Sequence, residues 1–267
     1  MAEKDRVASI ADSSQPNAGR IYDFLLGGNH NFEVDRLAAQ NILQFAPFLP
    51  KLLKAIRWFL GEAVRRVAGA GFTQFIDFAS GLPTIDHIHQ IAPSGTKVIY
   101  SDIDPVTVAY GREILKDNAD TRYVVCNAGK PEDLLNAPVV SQLFGNSRRV
   151  AIGFSGIAWF VSDDQISHAM KVLYEWAEKG SCLFLSDSGF EGDSVSPALQ
   201  GTLDIYAKIG QPMTFRSLNT LKELIRPWKL KDPGFLPLEE WFGMKAEVAE
   251  QTQKASSTTF QGAILEK

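Results

Sequence analysis

Phe75-Ile-Asp-Phe-Ala-Ser-Gly-Leu-Pro-Thr84 is the stretch on which the reading of this chain turns. It reads as a short buried strand (Phe75, Ile76, Phe78), then a tight turn at Ser80 and Gly81. Pro83 then suits the first turn of a helix, because its missing N–H would have no helical partner there. At the carboxyl end of a strand in an open parallel sheet, a residue without a side chain lets backbone approach a ligand. The N–H groups that open a helix favour negative charge. Asp77 is the odd residue of the strand. A carboxylate there must be hydrogen-bonded or paired, so it either bonds loop N–H groups or holds a cation. Strand-turn-helix junctions are also ordinary features of α/β proteins, so on this stretch alone the ligand reading and the purely structural one stand level.

Outward from this stretch, strands and helices alternate. Strands are expected over 73–79, 97–102, 122–126, 149–155 and 181–187, with helices over 84–92, 105–117, 131–144 and 163–179. That alternation argues for an α/β fold: a doubly wound, mostly parallel sheet covered on both faces. Ser162 before Asp163 and Asp164 has the form of a helix N-cap with an acidic first turn. After residue 187 come a loop rich in Ser, Gly and Asp, helices near 197–208 and 217–226, a polar tract from Gln251 to Thr259, and an apolar strand over 259–265 expected to pair antiparallel. Upstream, helical periodicity runs from Val34 to Ala46 and from Pro50 to Ala68. In the second run Leu52, Leu53, Ile56, Leu60, Ala63, Val64 and Val67 form one stripe, and Lys51, Lys54, Arg57, Arg65 and Arg66 fall largely outside it. The organisation expected is a flexible tail (1–15), an N-terminal helical cap (16–70) and a Rossmann-like core (71–267).

Length and composition narrow the function. The chain has 267 residues, 45% hydrophobic and 22% charged, with a formal net charge of −4, so neither disorder nor general nucleic-acid affinity is indicated. Cys126 and Cys182 sit in apolar runs and read as buried thiols rather than a disulfide or metal pair, which fits a reducing cytoplasm. No apolar run is long enough to span a bilayer, and residues 1–17 lack the apolar core of a secretion signal. No nucleic acid and no membrane are expected as partners, and a homo-oligomer is compatible with this composition.

Asp102 closes the second expected strand. An acidic residue there can accept hydrogen bonds from both ribose hydroxyls of an adenosine, with Ile103 at the adenine edge. The loop around Gly81 has Ala79, Ser80, Leu82 and Pro83 but no second glycine. This disfavours a dinucleotide pyrophosphate, which needs Gly-x-Gly-x-x-Gly, and leaves room for the smaller methionine end of S-adenosylmethionine. Asn127 could accept from an adenine amino group, and Ser155 and Gly156 would face the methionine moiety. Asp104 before Pro105 reads as a helix cap. His87 and His89, two apart on an expected helix, point to different faces, so no metal site is expected there; His87 reads as a surface residue and His168 as an ordinary one.

The run Arg20-Ile-Tyr22-Asp23-Phe-Leu-Leu26-Gly27-Gly28-Asn-His-Asn31-Phe32, with Asp35 and Arg36, resembles the signature of a bacterial S-adenosylmethionine-dependent methyltransferase family long catalogued as a domain of unknown function. Gly81-Leu-Pro-Thr84 with His89, Tyr100-Ser-Asp102-Ile-Asp104-Pro105, and Pro233-Gly234 with Trp241 are similar to it in the same order. The resemblance spans about 16–266. It implies a class I methyltransferase fold with S-adenosylmethionine at the strand ends. The cofactor site it implies comprises Tyr22, Gly27, Gly28, Asn31, Asp77, Ser80, Gly81, Asp102, Ile103, Asn127, Ser155 and Gly156. Three departures stand out. Phe78-Ala79-Ser80-Gly81 replaces the family's Ile-Gly-Thr-Gly, Asn127 replaces an Asp, and Ala158-Trp159 replaces a Leu-His pair whose His could act as a base.

Methyl transfer from a sulfonium is an in-line displacement that mainly needs alignment and exclusion of water. Phe32, Trp159, Phe160 and Tyr206, with Tyr22, offer an aromatic wall for a flat or apolar acceptor. The function expected is methylation of a small organic molecule, in specialised metabolism. The alternatives are a non-methylating S-adenosylmethionine-binding protein and an NAD(P)-dependent oxidoreductase.

Overall fold

The computed structural model describes residues 14–190, 197–208, 210–243 and 258–267. Most of the expected 1–15 tail, part of the Ser/Gly/Asp-rich loop and most of the Gln251–Thr259 tract lie outside the described residues. Among the described residues three helices come first: α1 (Ala18–Leu25), α2 (Glu33–Phe45) and α3 (Leu49–Gly69). The alternating half follows as β1 (Gln74–Asp77), α4 (Ile88–Ile91), β2 (Lys97–Asp102), α5 (Pro105–Ile114), β3 (Thr121–Val125), α6 (Glu132–Leu135), α7 (Pro138–Phe144), β4 (Ala151–Ser155), α8 (Asp163–Trp176) and β5 (Cys182–Phe190). The chain then adds α9 (Pro197–Lys208), α10 (Leu218–Leu224), β6 (Lys229–Leu230), β7 (Leu236–Pro237) and β8 (Thr258–Glu266).

The sheet runs β3-β2-β1-β4-β5-β8-β6, with β7 also paired to β8. Strands β1 to β5 are parallel, and β8 pairs antiparallel with β5 from Cys182↔Glu266 to Phe190↔Thr258. This is the doubly wound, mostly parallel sheet expected from the alternation. Side chains along a strand point alternately to its two faces. Phe75, Val98, Tyr100 and Phe184 join Ile56, Phe59, Leu60, Ala63 and Val64 of α3 in one core cluster. Ile76, Phe78, Ile99, Ile152 and Phe154 point the other way, into a second cluster with Leu134, Leu143, Ile166, Met170 and Leu221.

Four local expectations are corrected. Pro83 opens no helix: residues 83 and 84 form a turn, Asp86 adopts φ +54°, and the helix starts only at Ile88. The expected 131–144 helix is two, because Pro138 has no N–H to continue the first and instead opens α7. Helix α1 was not anticipated. Asn17 caps it, its side chain accepting from the Arg20 N–H at 3.2 Å, within a run read only as a special turn. His87, read as a surface residue, is 1% exposed, because it sits in extended backbone before α4 and not on a helix face.

Candidate functional site

The carboxyl ends of β1, β2 and β4 open into a cavity of about 340 Å³, a ligand-sized volume, roofed by α1 and α3. Tyr22, Asp77, Ser80, Gly81, Asp102, Ile103, Asn127, Ser155, Gly156, Trp159, Phe160 and Tyr206 all line it. Sequence positions nearly 200 residues apart thus meet around one space, as the strand-end argument requires.

The loop after β1 is pinned to the end of β2. Ser80 donates its N–H to Ser101 O (2.8 Å) and its hydroxyl to Asp77 O (2.9 Å). Gly81 adopts φ +64°, which suits a residue without Cβ, and donates its N–H to Asp102 Oδ2 at 3.1 Å. Ala79, where the resembled family has glycine, is held at φ +54°. Asp102 also accepts from the Asp104 N–H at 3.0 Å. Burial raises its pKa above the ordinary carboxylate value, and these two backbone donors oppose that rise.

Of the two arrangements expected for a strand carboxylate, the first is not found: no loop N–H among the described residues donates to Asp77. It is tolerated by space and by pKa. In the sheet it lies between Tyr100 and Gly153, and a Cβ on Gly153 would overlap its Oδ1. Burial pushes its pKa up to about 6; the Ser80 hydroxyl and the Arg57 charge pull it down, and Asp102 pushes it up.

Beyond the strand ends the wall turns apolar. Trp159 stands edge-on to Phe260, ring centroids 6.1 Å apart, and Phe160 packs on Tyr206 at 5.6 Å. Met213 and Phe215 complete this side. Burial, then the neighbouring Tyr22, pushes Tyr206 up to about 12. Cys126 also lines the cavity, its thiol pushed up to about 11 chiefly by burial, which makes it a poor nucleophile. Asn127 already uses its Oδ1 to accept from the Gly129 N–H at 2.9 Å.

Gly27, Gly28, Asn31 and Phe32 stand outside this wall, which corrects their expected place at the cofactor and acceptor. They build the frame behind it. The Asp23 carboxylate accepts from the His30 N–H (2.8 Å), Asn31 Nδ2 (3.0 Å) and Thr84 Oγ1 (3.3 Å), tying the glycine turn to the loop after β1. Buried Arg20 and Asp35 pair at 2.7 Å, and Asp35 also accepts from the Asn17 and Phe32 N–H groups. Phe32 lies under Arg20, 5.1 Å from ring centroid to Cζ, and packs against Leu82 and Tyr110. Asp104 caps α5 as expected, accepting from the Val106 and Thr107 N–H groups, and also receives Asn17 Nδ2 at 2.8 Å.

Sequence reasoning missed Arg57, Met213, Phe215 and Phe260 as wall residues. Arg57 adjoins the apolar stripe at Ile56, a usable signal; the last three carry none. No cluster of three or more His, Cys, Asp or Glu suited to a metal occurs among the described residues. Nor, among them, is any helix long and apolar enough to cross a membrane.

The family model described as "S-adenosyl methyltransferase" matches residues 4–265. A Thermobifida fusca protein proposed to be a methyltransferase superposes with a TM-score of 0.83 at 28% identity, covering 97% of each chain. A DUF574 family protein from Streptomyces avermitilis gives 0.81 at 26% identity, covering 96% of this chain and 99% of its own. A geranyl diphosphate methyltransferase solved with its diphosphate and sinefungin gives 0.53 at 14% identity over 82% of this chain and 80% of its own, a likeness of fold. A comparison with curated proteins gives no match.

Proposed function

This chain belongs to the S-adenosyl methyltransferase family, and we propose that it methylates a small, flat or apolar organic molecule held in the aromatic half of the cavity. It is an S-adenosylmethionine-dependent methyltransferase, so the oxidoreductase and non-methylating alternatives fall. What supports the acceptor class is the division of the cavity wall, carboxylates and small residues at the strand ends and Trp159, Phe160, Met213, Phe215 and Phe260 beyond them.

The residues at the strand ends fit the cofactor. Asp102 has the acceptor oxygens a ribose demands, and no atom lies within 4 Å of where a Cβ on Gly81 would stand. Asp77 suits the ammonium of the methionine end, since a buried carboxylate is stabilised by a cation more than by water-filled space. Ile103, Asn127 and Cys126 border the place for the adenine; Ser155 and Gly156 adjoin the sulfonium end.

When bound, S-adenosylmethionine supplies a methyl group on a sulfonium, which leaves as the acceptor atom attacks in line and the sulfur keeps the bonding electron pair. The chain aligns the acceptor against Trp159 and Phe160, and its N-terminal helices close the space from water. The structure offers no His at 159. Tyr206, with its raised pKa, remains protonated at neutral pH and serves as a hydrogen-bond donor rather than a base.

Calorimetry with S-adenosylhomocysteine, followed by a panel of aromatic, terpenoid and polar acceptors assayed for S-adenosylhomocysteine release, tests this reading. Turnover confined to highly polar acceptors would contradict the apolar assignment. Residence in specialised metabolism follows if the accepted molecule lies outside central metabolism.

A further inference from the structure

Arg57, on the cavity-facing side of α3, has a polar atom with no partner among the described residues. Its Nε is buried and makes no hydrogen bond to any described residue. No carboxylate oxygen among the described residues lies within ion-pair distance, 4.0 Å, of its guanidinium. A buried donor left unsatisfied is costly, and a guanidinium's planar fork matches a carboxylate. The group is nevertheless held in place. Its Nη1 lies 3.3 Å from His87 Nε2, and its Cζ lies 5.3 Å from the centroid of the Tyr22 ring. Burial, then the charge of Arg57, holds the His87 pKa well below its ordinary value, so the ring is neutral and its Nε2 accepts from the arginine.

Arg57 shares the cavity with Asp77. Both line the cavity, and the arginine's charge acts on the Asp77 carboxylate without forming a direct pair. A cation and an anion that face one cavity without pairing offer partners for the two charges of a zwitterion. We propose that Arg57 takes the carboxylate of the cofactor's methionine end while Asp77 takes its ammonium, with His87 and Tyr22 positioning the guanidinium. This rests on the cavity being the S-adenosylmethionine site. It gives the N-terminal helices a part in cofactor recognition as well as in covering the cavity. An anionic group on the acceptor is the other source of such a carboxylate, and the choice of probes separates the two.

The test is calorimetric titration of the purified full chain and of Arg57→Met with S-adenosylhomocysteine and with 5′-methylthioadenosine, which shares the nucleoside but lacks the amino acid. Arg57→Met is expected to weaken S-adenosylhomocysteine by about 10- to 100-fold, the range for a lost charge-assisted hydrogen bond, and to leave methylthioadenosine unchanged. Unaltered methylthioadenosine binding also shows that the variant is folded. Arg57→Lys, which keeps the charge but loses the fork, should give a smaller loss with the same selectivity between the two nucleosides.

Undiminished S-adenosylhomocysteine binding in Arg57→Met overturns the proposal and leaves the guanidinium to an acceptor anion. Equal losses for both nucleosides, in Arg57→Met and Arg57→Lys alike, also overturn it, because Arg57 then only shapes the cavity. If the unaltered protein binds neither nucleoside, the cofactor reading of the cavity falls too, a result seen without any variant.

Discussion

The Asp23 carboxylate lies so close to Gly28 that a Cβ on residue 28 would stand 2.5 Å from Asp23 Cγ. Asp23 cannot retreat freely, because its oxygens accept from the His30 N–H, Asn31 Nδ2 and Thr84 Oγ1. Gly28→Ala must therefore displace a hydrogen-bonded carboxylate. We expect a loss of about 1–3 kcal/mol, the usual cost of overpacking, read as a lower midpoint in urea unfolding with an unchanged slope.

Ala79 carries the opposite expectation. An L-residue at φ +54° pays a steric cost of about 1–2 kcal/mol, and glycine pays part of that back as unfolded-state entropy. Ala79→Gly should raise stability by about 0.5–1 kcal/mol. A fall in the thermal midpoint would show that the methyl group is held by contacts that outweigh its backbone strain.

Asp102 is expected to carry much of the nucleoside affinity. Asp102→Ala removes an acceptor for ribose and frees the Gly81 N–H that now binds Oδ2 at 3.1 Å. S-adenosylhomocysteine affinity should fall by about 1–3 kcal/mol in calorimetry. Unchanged affinity would contradict the placement of the ribose at the end of β2.

Asp77 links stability, pH and binding. Its folded pKa, about 6, stands above the ordinary 3.8, so between those values the folded protein holds the proton more tightly than the unfolded chain does. This group's contribution to stability therefore falls as pH rises through about 4 to 6, and the full cost, about 1–3 kcal/mol, is present at pH 8. Asp77→Asn should raise the thermal midpoint at pH 8 and give no gain at pH 4. The same variant should bind S-adenosylhomocysteine more weakly. In the unaltered protein that affinity should rise as pH increases through about 6, when the carboxylate ionises to meet the ammonium.

Much of the fold was legible because β1 to β5 and β8 each carry a local signal, which the two-residue strands β6 and β7 do not. Apolar runs such as Phe75 to Phe78 and Val98 to Tyr100 are short, β-rich and bounded by turn residues, and β2 has the expected bounds, Lys97–Asp102. Helix α1 was hidden because it has only eight residues, with a glycine at the second position, and is stabilised by the Arg20–Asp35 pair and the Asn17 cap rather than by propensity. The cavity was legible where its wall comes from strand ends. The glycine-rich run was misplaced because a glycine required by close packing on Asp23 looks, in sequence, the same as one required by close approach of a ligand.

Sequence by itself determined the alternation of strands and helices, the parallel sheet and the carboxylates at the tips of β1 and β2, since these follow from neighbours a few residues apart. Tertiary structure alone decided that Arg57 and Asp77 share one cavity with no ion pair to Arg57 among the described residues, that Gly28 and Phe32 lie outside the cavity wall, and that Met213, Phe215 and Phe260 line its apolar end. Those facts depend on how α3 and the segments after β5 settle on the sheet. That docking is governed by side-chain shape and burial between residues far apart in the chain, which no local period encodes.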